Sequence, residues 1–180
     1  MNIVVITALV VLALVAFGLL LLVRSQRQTV SSLDELAGNT RAIDMPAFHN
    51  LIDPAETRFL QQTLPLAQFR LVQRRRVLAA TEYVRNIAHN AGLLIQLGQL
   101  ARVSPDPQLA EAARLMVERA AHVRIMATLV LGKLYLQSFL PAAPFVAEDI
   151  ARDYRALTET AVLFTRLQRP AFAGRVSAML

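Results

Sequence analysis

Residues 77–101 read VLAATEYVRNIAHNAGLLIQLGQLA, and this stretch decides the fold. Apolar and small residues recur in it in steps of three and four, the spacing that places side chains on one face of an α-helix. The residues of this seam are Val77, Ala80, Val84, Ile87, Ala91, Leu94, Gly98 and Ala101. Because many of them are small, we expect a second helix to approach this face closely.

The same alternation resumes after the clearest break in the chain, Ser104-Pro105-Asp106-Pro107, and continues to about Leu140. Its seam consists of Leu109, Ala113, Met116, Ala120, Val123, Ala127, Val130 and Leu134. A short connection between two long helices predicts an antiparallel hairpin. A third helix is predicted over 147–168, between prolines, with Ile150, Tyr154, Leu157, Ala161 and Phe164 facing inward.

Two shorter helices are predicted upstream of the hairpin. Asp53 can cap a helix, Pro54 suits its first position, and Glu56 completes a capping box. Asp44, followed by Met45 and Pro46, indicates another short turn. Since no strand-like alternation occurs, the predicted fold is all-α: one N-terminal transmembrane helix, then an antiparallel bundle of about three long helices with one or two short ones.

The transmembrane helix is predicted over Ile3–Val23, which reads IVVITALVVLALVAFGLLLLV and contains no ionisable side chain. At 1.5 Å per residue it spans roughly 31 Å, the thickness of the hydrocarbon layer. The alternative is a cleaved signal peptide, but no basic residue precedes the run, the run is long for a signal sequence, and no small-x-small pattern follows it. We assign the membrane contact to Ile3, Val10, Leu14, Phe17, Leu20 and Val23.

Arg24 and Arg27 follow this run, and both are predicted to contact lipid headgroups. Basic residues mark the cytoplasmic side of a span, so we expect the N-terminus outside and the rest of the chain in the cytoplasm. The predicted organisation is a transmembrane anchor over 1–24, a juxtamembrane linker with a short helix over 25–52, a bundle over 53–169 and a flexible tail over 170–180.

Residues 125–140 read IMATLVLGKLYLQSFL and are apolar on nearly every face. The preferred interpretation is a buried central helix. The alternative is a second membrane span, but the run is shorter than a bilayer requires and Lys133 interrupts it.

The composition excludes several chemistries. The chain has 19 Lys and Arg against 13 Asp and Glu, a formal net charge of +6, and no cysteine. Disulfides, thiolate nucleophiles and iron–sulfur clusters are therefore excluded. The sequence has no phosphate-binding loop, G-x-G-x-x-G, H-E-x-x-H or G-x-S-x-G motif, so we predict no cofactor, no small-molecule substrate and no catalytic residue. The basic charge permits nucleic acid as a partner, but no recognisable binding motif favours it.

Three groups of residues are candidate sites. His89 falls opposite the seam of its helix, where an imidazole can accept a phosphoryl group; the alternative is a solvated helix residue. Glu118 and His122 resemble half of a bundle-core metal pair, but they are four residues apart and lie outside the seam, so a metal site is not favoured. The cluster predicted to contact an anionic surface, or else simply to be solvated, comprises Arg70, Arg74, Arg75 and Arg76.

Together these features predict a single-pass, membrane-anchored helical interaction or scaffold protein on the cytoplasmic face, without enzymatic activity. Its partners would be the lipid bilayer and either another protein or a second copy packed through its helices. The alternative function is a histidine phosphotransfer module that acts through His89.

Overall fold

The computed structural model describes residues 32–139, 148–168 and Leu180. All regular secondary structure in these residues is α-helical, which confirms the predicted all-α bundle. The helices are α1 (Leu33–Asn39), α2 (Met45–Ile52), α3 (Pro54–Thr63), α4 (Leu66–Ala101), α5 (Pro107–Phe139) and α6 (Glu148–Gln168).

The long helices α4 and α5 form the predicted antiparallel hairpin. Both predicted seams face the interior, and of their sixteen residues only Leu109 is half-buried rather than buried. The connection is short because Ser104 closes the last turn of α4 through Ala101, while Asp106 accepts the Gln108 N–H at 2.9 Å and so caps α5.

The approach of the two helices is closest at Gly98. A Cβ atom at this position would lie 2.6 Å from Cγ2 of Val117 and 3.2 Å from the backbone oxygen of Ala113. Valine is stiff at χ1 and a helical backbone cannot yield locally, so a methyl group at residue 98 would have to separate the helices. The small residues of the seam therefore set the distance between α4 and α5.

Helix α6 packs antiparallel against α5, and its five predicted inward residues are all buried. Arg119 of α5 fixes the register, because its guanidinium donates to the backbone oxygen of Ala156 at 3.1 Å and to Oγ1 of Thr160 at 2.6 Å. The two helices thus share polar contacts at their edge and apolar contacts inside.

The short helices α1 and α2 belong to the bundle, whereas the sequence places them in a linker over 25–52. Leu36, Phe48 and Ile52 are buried in the common core, and the Phe48 ring stacks on Tyr83 of α4 with centroids 5.3 Å apart. Burying each such side chain contributes roughly 1.5–3 kcal/mol. Helices of seven and eight residues carry too few apolar positions to show a period, so their docking is not evident in the sequence.

The two aspartate caps predicted upstream of the hairpin are confirmed, but the capping box with Glu56 is not observed. Asp44 accepts the Ala47 N–H at 2.9 Å, and Asp53 accepts the Ala55 N–H at 2.8 Å. Glu56 lies 3.5 Å from Arg76 of α4, a contact that a capping box does not require. Helix α3 buries no residue of its own, so its position depends on such polar contacts with α4.

The predicted membrane anchor over Ile3–Val23, together with Arg24 and Arg27, lies outside the described residues. None of the helices within residues 32–139 and 148–168 is long and apolar enough to cross a bilayer. The predicted flexible tail also lies outside them except for Leu180, which is buried against the core.

Residues 125–139 form the last turns of α5, and over 125–135 one face is buried. Ala127, Val130 and Leu134 point into the core, whereas Ile125 and Leu129 are more than half exposed. The interpretation as a buried central helix therefore holds for one face and not for the other.

We predict that Gly98→Ala lowers the free energy of unfolding by about 1–3 kcal/mol, since overpacking outweighs the better helix propensity of alanine. Urea titration of the full chain in detergent, followed by far-UV circular dichroism, measures this change. Gly38→Ala is the matched control, because a Cβ there meets nothing within 4 Å and should leave stability unchanged or raise it by up to about 1 kcal/mol. A Gly98→Ala variant as stable as the control would contradict the close approach.

Candidate functional site

A buried polar network joins the N-terminal segment to the bundle at Asn90 of α4, whose side chain is 0% exposed. Its amide oxygen accepts the backbone N–H of Arg41 at 3.0 Å, and its amide nitrogen donates to the backbone oxygen of Arg41 at 2.8 Å. The same nitrogen donates to the phenol oxygen of Tyr154 in α6 at 2.8 Å. One side chain therefore holds three parts of the chain together, and the heptad pattern gives no sign of it.

Arg41 extends this hydrogen-bond network towards the surface. Its guanidinium donates to Oδ1 of Asn86 at 3.1 Å, one turn before Asn90. The segment between α1 and α2 is thus pinned through both its backbone and its side chain.

Arg76 is buried, so the prediction that it contacts an anionic surface does not hold. Its guanidinium donates to the backbone oxygen of Leu51 at 2.8 Å and to that of Asn50 at 3.3 Å. These carbonyls at the C-terminus of α2 have no acceptor role within the helix, and a positive charge there is favoured by the helix dipole. Arg76 therefore docks α2 on α4, because its position in the helix turns it towards the core while Arg74 and Arg75 point outward.

His89 is half-buried beneath the end of α1, rather than free on the surface. Its Nε2 atom lies 3.0 Å from the backbone oxygen of Asn39. A carbonyl oxygen only accepts, so Nε2 carries the proton and donates it. Phosphorylation at Nε2 would require this contact to break.

The remaining histidines and the proposed half of a metal pair are engaged in other contacts. Glu118 accepts from Arg114 at 2.7 Å, whereas His122 lies 3.2 Å from Asp153 of α6. His49 accepts from Arg155 at 3.3 Å. Among the residues that the structure describes, no three His, Asp or Glu side chains converge to hold a metal.

The outer face of α4 exposes two leucines and two arginines, which we call the α4 ridge: Leu71, Arg74, Arg75 and Leu78. At 100° per residue the two leucines lie about 20° apart around the helix, and the arginines flank them at about 60° on one side and 40° on the other. Leu71 is 55% exposed and Leu78 is 57% exposed. Arg70 is exposed too, but about 100° from Leu71, to one side of the ridge.

The arginines of the ridge differ from the paired charges on the outer face of α5. On α5, Arg114 bonds both Glu111 and Glu118 at 2.7 Å. Neither Arg74 nor Arg75 makes a hydrogen bond or ion pair with any residue the structure describes. Their charge is therefore available to an external anion.

A groove of about 580 Å³ runs beside the ridge, between α4 and α5. The Arg85 guanidinium lies over the Tyr135 ring at 5.8 Å and donates to its phenol oxygen, which closes one end. The α4–α5 groove is lined by Arg74, Leu78, Glu82, Arg85, Leu134 and Tyr135, with Val77, Ala79 and Thr81 completing its walls. It offers apolar walls with charges of both signs at the rim.

The ridge and the groove combine predicted and unpredicted residues. Arg74 and Arg75 belong to the basic cluster that the sequence indicates, whereas Leu71 and Leu78 do not. The sequence could have indicated these leucines, because two leucines seven residues apart lie on the helix face opposite the seam. The groove has no such signal, since Glu82 and Tyr135 come from different helices.

Comparison of the chain with known protein families, characterised proteins and solved structures finds no match. The function is therefore inferred from the surface of the bundle.

We predict that Tyr154 makes the bundle sensitive to alkali. Burial raises the pKa of Tyr154 to about 12, and the hydrogen bond from Asn90 opposes part of that rise. The unfolded value is near 10, so this stabilisation is complete below about pH 10 and is lost as the pH rises through about 12. The shift corresponds to about 2–3 kcal/mol.

Unfolding of the full chain between pH 8 and pH 12 tests this difference. Tyr154→Phe should cost about 1 kcal/mol at neutral pH through the lost hydrogen bond. It should then lose less stability than the natural chain as the solution becomes alkaline. Parallel curves for the two proteins across this window would show that the Tyr154 proton is not involved.

For His89 we expect no phosphorylation. Incubation of the full chain with a phosphorylated response regulator should leave no acid-labile label, because Nε2 is engaged with Asn39. Label that appears on the natural chain and disappears in His89→Gln would restore the phosphotransfer hypothesis. His122→Gln is the control, since its histidine is more exposed and belongs to a different helix.

Proposed function

We propose that the chain is a non-enzymatic interaction protein, anchored in a membrane by residues 3–23 with its N-terminus outside and its helical bundle on the cytoplasmic face. The α4–α5 groove is the observation that carries the interaction role. An amphipathic helix that binds a groove inserts apolar side chains spaced three or four residues apart and leaves its polar face to the rim. The groove suits this mode because its walls are apolar while Arg74, Glu82 and Arg85 are charged.

The proposal of a binding role is also supported by the way the polar side chains are used. Asn90 and Arg76 bind the backbone of the N-terminal segment, Tyr154 binds the Asn90 side chain, and His89 holds the end of α1. Reactive groups would instead converge on a shared cavity where a substrate can enter. The polar contacts make the bundle rigid, and a rigid surface loses less entropy when a partner binds.

The anchor is supported by its sequence. A run of 21 residues without an ionisable side chain matches the thickness of the hydrocarbon layer, and the first arginines follow it. A bundle held at the membrane meets a membrane-bound partner at a high local concentration, so a shallow groove can suffice for specific binding.

Site-specific photocrosslinking in intact membranes tests this function. A photoreactive residue at Glu82, inside the groove, should crosslink one stoichiometric partner, whereas the same residue at Glu159 on the exposed face of α6 should not. Tyr135→Ala should lower the yield from position 82 several-fold by removing one end of the groove. A crosslink to a second copy of the chain would identify self-association as the interaction.

Two further results decide the remaining parts of the proposal. A tag at the N-terminus should be accessible from outside the cell, and deletion of residues 1–23 should release the chain from the membrane. Equal crosslinking from positions 82 and 159, or a turnover activity abolished by one substitution, would contradict the interaction role.

A further inference from the structure

We propose that the α4 ridge rests on the anionic lipid surface of the membrane, so that the first half of α4 lies along the headgroups. This inference rests on the proposed membrane anchoring, and it adds a second contact and an orientation to it.

The charge of the ridge matches this partner. Arg74 and Arg75 are exposed and unpaired, and no acidic residue lies between Glu56 and Glu82 in the sequence. Glu82 is on the same face of α4 as the ridge. It borders the groove and limits the ridge to the first half of α4. A negative leaflet attracts basic side chains within about one Debye length of its surface.

The apolar side chains match it as well. Leu71 and Leu78 stand at the crest of the ridge, directly opposite the buried face of α4, with an arginine on each side. Helices that lie at a membrane surface carry leucines in their apolar face and arginines beside it. A crest on a single helix suits a flat, soft surface such as a bilayer, whereas a partner helix is better received by the concave groove, whose near wall includes Arg74 and Leu78.

The attachment of the N-terminal segment places the ridge near the membrane. Asn39, at the end of α1, meets α4 at His89, which lies five helical turns beyond Leu71 on about the same side of the helix. Eight residues separate Val23 from Ser32, a chain that spans at most about 30 Å. Helix α1 adds about 10 Å between Ser32 and Asn39, and Leu78 lies about 16 Å along α4 from His89, so the two lengths together stay within this reach.

The chain contains no tryptophan, so Leu71→Trp introduces a single fluorescent reporter at the crest. Leu163→Trp on α6 is the matched control, because Leu163 is 58% exposed. The full chain carrying either substitution is reconstituted into vesicles of phosphatidylcholine alone, or with phosphatidylserine added. Tryptophan emission and quenching by brominated phospholipids are then measured.

We expect the Leu71→Trp reporter to shift to the blue and to be quenched in the anionic vesicles only, while the Leu163→Trp reporter changes in neither. Arg74→Gln and Arg75→Gln should each lower the ratio of docked to undocked protein about fivefold. Salt at about 1 M, where the Debye length is about 3 Å, should release the ridge.

Equal emission of the Leu71→Trp reporter in neutral and anionic vesicles would overturn the proposal. So would a blue shift that appears in native membranes but not in protein-free anionic vesicles, since it would assign the ridge to a protein partner. Insertion of the anchor is tested separately, by flotation of the full chain with neutral vesicles at high salt. A chain that floats but shows no quenching refutes the ridge contact alone, and a chain that does not float refutes the anchor.

Discussion

The close packing of α4 against α5 is the constraint on which the rest of the bundle depends. At Gly98 the two backbones approach so closely that no side chain fits between them. This distance brings the seams of both helices into contact and creates the surface that α6 covers on one side. The same distance also defines the α4–α5 groove, because small side chains fill the contact between the helices and larger side chains line its edge.

A second level of organisation comes from polar side chains inside this frame. Both the oxygen and the nitrogen of the buried Asn90 amide are hydrogen-bonded, whereas an unpaired amide in this position would cost roughly 1–3 kcal/mol. Arg76 plays a comparable role at the end of α2. Such contacts are directional, so they fix where the N-terminal segment meets α4. The segment between α1 and α2 is therefore fixed at a defined edge of the bundle.

The distribution of surface charge distinguishes the faces of the bundle. On α5 and α6 several charged residues neutralise one another, as Arg114 does with Glu111 and Arg152 with Asp149. On the first half of α4 the arginines stand beside exposed leucines without such partners. Interaction surfaces differ from the remaining protein surface in this respect, because local charge pairing and apolar burial are both left to the partner.

The sequence by itself determined the long helices, the hairpin and the inward face of each helix. A helical period that repeats over four or more turns identifies both the helix and its buried face, even where single residues fit more than one structure. It also predicts the anchor, because the length and polarity of a single segment are enough for that prediction. Only the tertiary structure decided that α1 and α2 join the core, that Arg76 is buried while Arg74 and Arg75 are free, and that His89 lies beneath α1. These outcomes depend on which distant backbone comes to lie beside a side chain, and helical spacing does not encode that.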